Sequence, residues 1–111
     1  LMRHLAREDI VRELTYTGRI FSGEEALAYG FATRVCADPL AEALATAGEI
    51  AAKNPDAMRA NKRLLNAAVL TDPLSGLTQE SVEQGRLIGS PNQVEAVMSN
   101  MQKRAPSFVD P

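Results

Sequence analysis

The chain has 111 residues, of which 45% are hydrophobic, and it carries a formal net charge of −2 at pH 7. The hydrophobic share excludes disorder along the whole length, and the slight negative charge excludes electrostatic attraction to nucleic acid or to an anionic membrane. A single cysteine, Cys36, excludes an internal disulfide, so we expect a reducing, cytoplasmic setting.

The chain opens on Leu1, Met2, Arg3 and His4 and then runs directly into a helical pattern. This opening lacks the apolar stretch of a secretory signal, and no run of residues approaches the roughly 18 to 20 apolar positions of a membrane helix. Because the chain starts on leucine and enters the helical pattern without a capping residue, we expect it to be part of a larger protein.

The first third of the sequence alternates helix and turn signals. Early apolar residues recur at helical spacing and predict a helix that ends at Gly18. Ser22 followed by Glu25 is a capping box, which predicts a short helix that ends at Gly30, where a left-handed residue is needed. Residues 31–35 alternate and end in a β-branched valine, which predicts one short strand or extended stretch that needs a partner from elsewhere.

Four dipeptides in the rest of the chain place a capping residue directly before a proline. The capping oxygen accepts an unpaired backbone N–H, and proline at the first helical position gives up no hydrogen bond. Each dipeptide therefore predicts a helix start, and successive starts lie 16, 18 and 18 residues apart. The four are Asp38-Pro39, Asn54-Pro55, Asp72-Pro73 and Ser90-Pro91.

The apolar spacing agrees with these starts. Val94, Val97, Met98 and Met101 follow an i, i+3, i+4, i+7 pattern, which is typical of a helix face in a core or an interface. The sequence therefore predicts a mainly α fold with about six helices and at most one short strand near 31–35.

Two long motifs lie towards the ends of the chain. Residues 13–35 have the sequence ELTYTGRIFSGEEALAYGFATRV, and residues 90–108 have the sequence SPNQVEAVMSNMQKRAPSF. The first resembles the pattern E-L-x-x-T-G-x-x-F-x-A-x-E-A-x-x-x-G-L-V-x-x-V of the crotonase (enoyl-CoA hydratase/isomerase) family. The second is similar to that family's ending, S-E-D-x-x-E-G-x-x-A-F-x-E-K-R-x-P-x-F. With Asn54-Pro55 and Lys62 matching the helix between them, the resemblance covers the whole chain.

The resemblance implies where the chemistry of such a protein lies. In that family an N-terminal domain supplies two backbone N–H groups that bind the thioester oxygen as it becomes an enolate, and carboxylates that move protons. Residues 1–6 correspond to a segment that follows the second carboxylate, so we expect no catalytic residue in this chain. Residues 1–36 would end the crotonase core, and residues 37–111 would form the C-terminal helical oligomerisation domain, which builds trimers or hexamers in the family.

The resemblance also implies two ligand contacts. Lys103 matches the family lysine that reaches the adenosine and phosphate region of coenzyme A, and Phe108 matches a phenylalanine that packs beside the same site. Asn100 stands where the family has an adenine-stacking phenylalanine, so that stacking is not expected. Glu95 matches a glutamate of the last helix, for which a structural role is equally open. Coenzyme A enters as part of an acyl-CoA substrate, and neither a separate cofactor nor a metal site is expected.

Each of these signals has a plainer interpretation. Lys103 at a helix end interacts favourably with the helix dipole without any ligand. His4 fits a surface or interface position, and Cys36 fits a small buried residue. The regular helix starts also fit a free-standing helical interaction or oligomerisation module without catalytic activity, with a spacing near that of a tetratricopeptide array. Against such an array, residues 1–36 fit no repeat.

Overall fold

The computed structural model describes residues 5–110, and the predictions for Leu1, Met2, Arg3 and His4 lie outside the described residues. Six helices occupy this range, which confirms the mainly α prediction. The prediction allowed at most one strand near 31–35, and residues 5–110 contain none, because no second extended segment is available to pair with that stretch. The helices are α1 (Glu8–Thr17), α2 (Gly23–Tyr29), α3 (Pro39–Ala51), α4 (Pro55–Ala68), α5 (Pro73–Leu87) and α6 (Pro91–Met101).

All four helix starts predicted from proline dipeptides are confirmed. The Asn54 side-chain oxygen accepts the N–H groups of the second and third residues of α4, and Asp72 does the same for α5. The Ser90 hydroxyl accepts an N–H of α6, and Asp38 accepts one of α3. Local side-chain chemistry therefore fixes where these helices begin.

The chain divides into two compact units, residues 1–43 and 44–111, with α3 running through the division. The predicted domain boundary after residue 36 stays a prediction.

In the first unit, α2 is stabilised by polar contacts at its start and its end. The predicted capping box is confirmed, because Ser22 accepts the Glu25 N–H while the Glu25 carboxylate accepts the Ser22 N–H. Arg19 donates to the Glu25 carboxylate at 3.0 Å and to the Tyr29 hydroxyl at 2.7 Å. The Tyr29 ring lies 6.2 Å from the Phe21 ring in an edge-to-face arrangement, so apolar packing adds to these bonds.

The predicted stops at Gly18 and Gly30 are also confirmed, with φ angles of 63° and 88°. The two glycines differ in their surroundings. A β-carbon on Gly30 would lie 2.6 Å from the carbonyl oxygen of Leu5, whereas a β-carbon on Gly18 would meet nothing within 4 Å.

In the second unit, α4 packs against α5 and α6. Ala60 of α4 is 1% exposed, and the small side chain permits close helix approach. Arg63 of α4 donates two hydrogen bonds to Glu83 of α5, at 2.9 and 2.7 Å, and Arg86 lies 3.6 Å from the same carboxylate. The unit therefore joins α4 to α5 through a charged pair as well as through apolar contact.

Much of the predicted apolar surface is exposed in this unit. Leu65 and Leu77 are 71% and 61% exposed, and they border a cleft of about 650 Å3 between α4 and α5. The α6 stripe is also exposed, since its four members keep between 42% and 74% of their surface. The stripe predicted from spacing is a helix face, but residues 5–110 do not cover it.

We expect Gly30→Ala to destabilise the protein more than Gly18→Ala does. Both substitutions place an alanine at positive φ, which costs about 1 kcal/mol, but only the Gly30 variant also forces a β-carbon against a backbone oxygen. Urea unfolding of the full-length protein should show a loss of about 1 kcal/mol for Gly18→Ala and at least twice that for Gly30→Ala. Equal losses for the two variants would contradict the close approach of Leu5.

Candidate functional site

The C-terminal segment, residues 102–110, follows α6 and contains both residues predicted to contact coenzyme A. Lys103 is exposed, and Phe108 is half-buried. The site prediction therefore falls on one short stretch without regular secondary structure, and the contacts that hold this stretch determine what Lys103 can reach.

Lys103 occupies the left-handed turn that ends α6. Its N–H donates to the Asn100 carbonyl at 3.2 Å, and the next N–H, of Arg104, donates to the Ser99 carbonyl at 3.0 Å. These two bonds form the Schellman ending of a helix, whose turn residue is usually glycine. In the described part of the chain, Lys103 is the one non-glycine residue with positive φ, at 51°. That backbone conformation costs an L-residue roughly 1 to 2 kcal/mol.

Glu95 of α6 binds the segment just beyond this turn. Its carboxylate accepts two hydrogen bonds from the Arg104 guanidinium, one of them at 2.8 Å, and a third from the Ser107 N–H at 2.7 Å. Two parallel bonds from one guanidinium fix both the distance and the plane of the pair. Glu95 therefore holds the segment at two points that lie three positions apart.

These contacts lower the pKa of the Glu95 carboxyl from 4.5 to about 2, first through the Arg104 side chain and then through the Ser107 N–H. The carboxylate is thus favoured in the folded state. A lowered pKa contributes stability that is complete above the ordinary value of 4.5 and is lost as the pH falls through about 2. At neutral pH the Glu95 contacts are fully formed.

Asn92, one turn before Glu95, binds the end of the segment. Its side-chain oxygen accepts the Val109 N–H at 2.9 Å, and its amide nitrogen donates to the Val109 carbonyl at 2.7 Å. The same nitrogen donates to the Asp56 carboxylate of α4 at 2.9 Å. Asn92 is 5% exposed. Its buried side-chain amide therefore pairs with both the N–H and the carbonyl of Val109, as a neighbouring strand would in a sheet.

No sequence pattern predicts this role for Asn92, and for Glu95 the resemblance leaves a structural role open. Asn92, Glu95 and Ser99 follow an i, i+3, i+7 spacing, which places them on one face of α6. That spacing is the available signal, but a polar stripe on a helix ordinarily indicates a solvated face. Here Asn92 and Ser99 are buried and the apolar stripe beside them is exposed.

A cleft of about 630 Å3 opens next to the segment, bordered by Asn92 and Val109. Three arginines also border it, and each lies against a carboxylate: Arg59 against Asp110, and Arg63 and Arg86 against Glu83. A third carboxylate, Asp56, also borders the cleft, so three carboxylates balance the three arginines and the cleft has no excess positive charge that would favour an anion.

Cys36 and Asn100 are the other described positions that the sequence analysis considered. Cys36 is a free, half-buried thiol in the first unit. Asn100 is exposed on α6, and its carbonyl accepts the Lys103 N–H. Among residues 5–110, no cluster of histidine, cysteine and carboxylate side chains could hold a metal ion.

Comparison with known proteins relates the chain to proteins named as CoA hydratases, although no family model matches it. Methylglutaconyl-CoA hydratase, mitochondrial, of Mus musculus is 27% identical over 105 residues, which cover 89% of this chain and 33% of that protein. Enoyl-CoA hydratase domain-containing protein 2, mitochondrial, of Bos taurus is 29% identical over 106 residues, covering 90% of this chain and 36% of that protein.

Solved structures agree over nearly the whole chain. A probable enoyl-CoA hydratase/isomerase from Mycobacterium abscessus superposes with a TM-score of 0.90 at 27% identity, over 97% of this chain and 45% of that one. The chain has the fold of part of a crotonase-fold protein. An enoyl-CoA hydratase from Polaromonas sp. JS666 gives a TM-score of 0.88 at 25% identity, over 97% of this chain and 43% of that one.

The crotonase match is partial in length. The chain spans about a third of the curated relatives and under half of the solved chains that it matches. It corresponds to the C-terminal, helical portion of a crotonase-fold protein, as the two motifs predicted.

Proposed function

We propose that the protein containing this chain is an enzyme of the enoyl-CoA hydratase/isomerase type. It would act on acyl-CoA thioesters, as in fatty-acid β-oxidation, by stabilising an enolate and transferring protons. The observation that carries this proposal is the superposition of 97% of the chain, with a TM-score of 0.90, on a probable enoyl-CoA hydratase/isomerase from Mycobacterium abscessus. The hydratase names of the curated relatives support the same class.

Within such an enzyme, this chain would serve coenzyme A binding and self-association, and alone it would be inactive. The carboxylates described above support that division of labour, since Glu25, Glu83 and Glu95 are each engaged by an arginine. A carboxylate held as an ion pair with a lowered pKa is a poor proton acceptor at neutral pH. These three carboxylates are therefore not proposed as proton acceptors, and proton transfer would belong to residues outside this chain, as the resemblance implies.

Lys103 would contact a phosphate of coenzyme A. It is exposed, and its ammonium is a compact charge of the kind that binds phosphate. Its backbone conformation supports a role beyond helix capping, because glycine would end α6 at a lower cost. Strain that a neighbouring structure maintains is a reason to suspect function at that residue. Phe108 would pack beside the same ligand.

Coenzyme A would arrive as part of the substrate, with no separate cofactor. The cytoplasmic setting stays a prediction. None of the helices in the described residues combines the length and the apolar character needed to cross a membrane.

Removing the Lys103 side chain should weaken coenzyme A binding without unfolding the protein. In the full-length protein we expect Lys103→Ala and Lys103→Gly each to raise the Kd for coenzyme A about tenfold, by calorimetry. The glycine variant should be at least as thermostable as the parent, because positive φ is not strained for glycine. Lys62→Ala, an exposed lysine on α4, is the matched control and should leave the Kd unchanged. An unchanged Kd in both Lys103 variants would remove this contact.

Self-association would cover apolar surface that the second unit leaves exposed. Leu74 and Leu77 lie on one face of α5 and are 75% and 61% exposed. We expect the full-length protein to be a trimer or hexamer by light scattering, and Leu77→Glu to shift it towards smaller species, because a charge would be buried at the contact. Leu77→Met keeps the apolar surface and should keep the assembly. A monomeric parent protein would contradict the proposal.

A further inference from the structure

One face of α6 holds the C-terminal segment at successive points. Nearest the turn, the Ser99 carbonyl accepts the Arg104 N–H at 3.0 Å. Beyond it, Glu95 binds Arg104 and Ser107, and at the far end Asn92 binds both backbone groups of Val109. The residues that follow Lys103 are therefore bound to α6, the same helix that precedes it.

Glu95 also pairs with only one of the two adjacent cationic side chains of the segment, Lys103 and Arg104. Its carboxylate takes the Arg104 guanidinium at 2.8 Å, whereas Lys103 takes part in no ion pair among the described residues. The planar guanidinium suits a two-bond carboxylate contact, and the lysine ammonium suits a single phosphate oxygen. The ion pair with Glu95 therefore engages the positive charge of Arg104 and leaves the charge of Lys103 for a ligand.

The bonds of Glu95 also maintain the turn that contains Lys103. Two hydrogen bonds end α6 at this turn, but lysine is not the residue that stability alone would favour there. Fixing Arg104 and Ser107 on the far side of the turn leaves Lys103 little freedom to relax to negative φ. The contacts therefore act on the direction of the Lys103 side chain as well as on the stability of the segment.

We infer that Glu95 and Asn92 are positioning residues, which hold the C-terminal segment against α6 so that the Lys103 ammonium is presented to a phosphate of coenzyme A. This inference rests on the coenzyme A contact proposed above for Lys103. Neither positioning residue would touch the ligand, because their polar atoms bind the segment and, for Asn92, Asp56 of α4.

The test is a double-variant cycle in the full-length protein, with coenzyme A as the probe and its Kd measured by calorimetry. Glu95→Gln keeps the size of the side chain but removes the charge that binds Arg104. We expect it to raise the Kd about three- to tenfold in the parent protein and to add nothing in the Lys103→Ala background. Hydrogen exchange at the Ser107 amide should accelerate in Glu95→Gln.

Glu83→Gln is the matched control. Glu83 also accepts two bonds from one arginine, and its side chain is 12% exposed, against 21% for Glu95. The Glu83→Gln variant should have a lower unfolding temperature, but its Kd for coenzyme A and its exchange rate at the Ser107 amide should be unchanged.

The outcomes separate the two proposals. If Lys103→Ala does not change the Kd, the proposed coenzyme A contact fails, and the positioning role fails with it. If Lys103→Ala weakens binding but Glu95→Gln has no effect, or weakens binding equally in both backgrounds, only the positioning role is overturned. Tighter binding in Glu95→Gln, through a released Arg104 guanidinium, would also overturn it.

Discussion

The Glu95 carboxylate is the contact on which the candidate site depends. It joins the middle of α6 to Arg104 and Ser107, so the C-terminal segment is held against the helix that precedes it. Lys103 lies between these attachment points and the end of α6, in a conformation that a free chain would avoid. Without the carboxylate, the segment that contains Lys103 and Phe108 would be held to α6 only by the turn and by the Asn92 contacts with Val109.

Polar contacts, as well as apolar packing, determine the structure of this chain. The second unit buries Asn92 and Ser99 to 5% and 4% exposure, while large apolar residues such as Leu65 and Leu77 stay exposed. Buried polar groups are tolerated because they are hydrogen bonded, and no buried side-chain nitrogen or oxygen among the described residues lacks a partner. Burial of the remaining apolar surface would fall to other parts of the full-length protein or to other subunits, which agrees with the proposed self-association.

The sequence predicted the features that local chemistry determines. Capping oxygens before proline fix the starts of α3 to α6, and a capping box fixes the start of α2, so each boundary can be found without tertiary information. Gly30 is the same kind of signal, because its left-handed conformation ends α2.

The site could be predicted only in part, because its geometry depends on contacts distant in sequence. The motif predicted coenzyme A contacts for Lys103 and Phe108, which stay predictions. The bonds from Asn92 to Val109 span 17 residues, and no periodicity marks such a pair. The apolar spacing of α6 predicted a core or interface on one face of the helix, whereas the polar face beside it binds the C-terminal segment. Residues 31–35 form no strand for a related reason, since pairing requires a second strand and the described chain has none.

The most direct test of the central contact is the protonation state of Glu95 in the full-length protein. Carbon-13 labelling of glutamate carboxyls, with the Glu95→Gln variant used for assignment, would report this state by NMR. At about pH 3.5, a glutamate with the ordinary pKa of 4.5 is about 90% protonated, whereas Glu95, with a pKa of about 2, should be almost fully ionised. A Glu95 signal that titrates near 4.5 would show that Arg104 and Ser107 do not hold the carboxylate, and it would contradict the account.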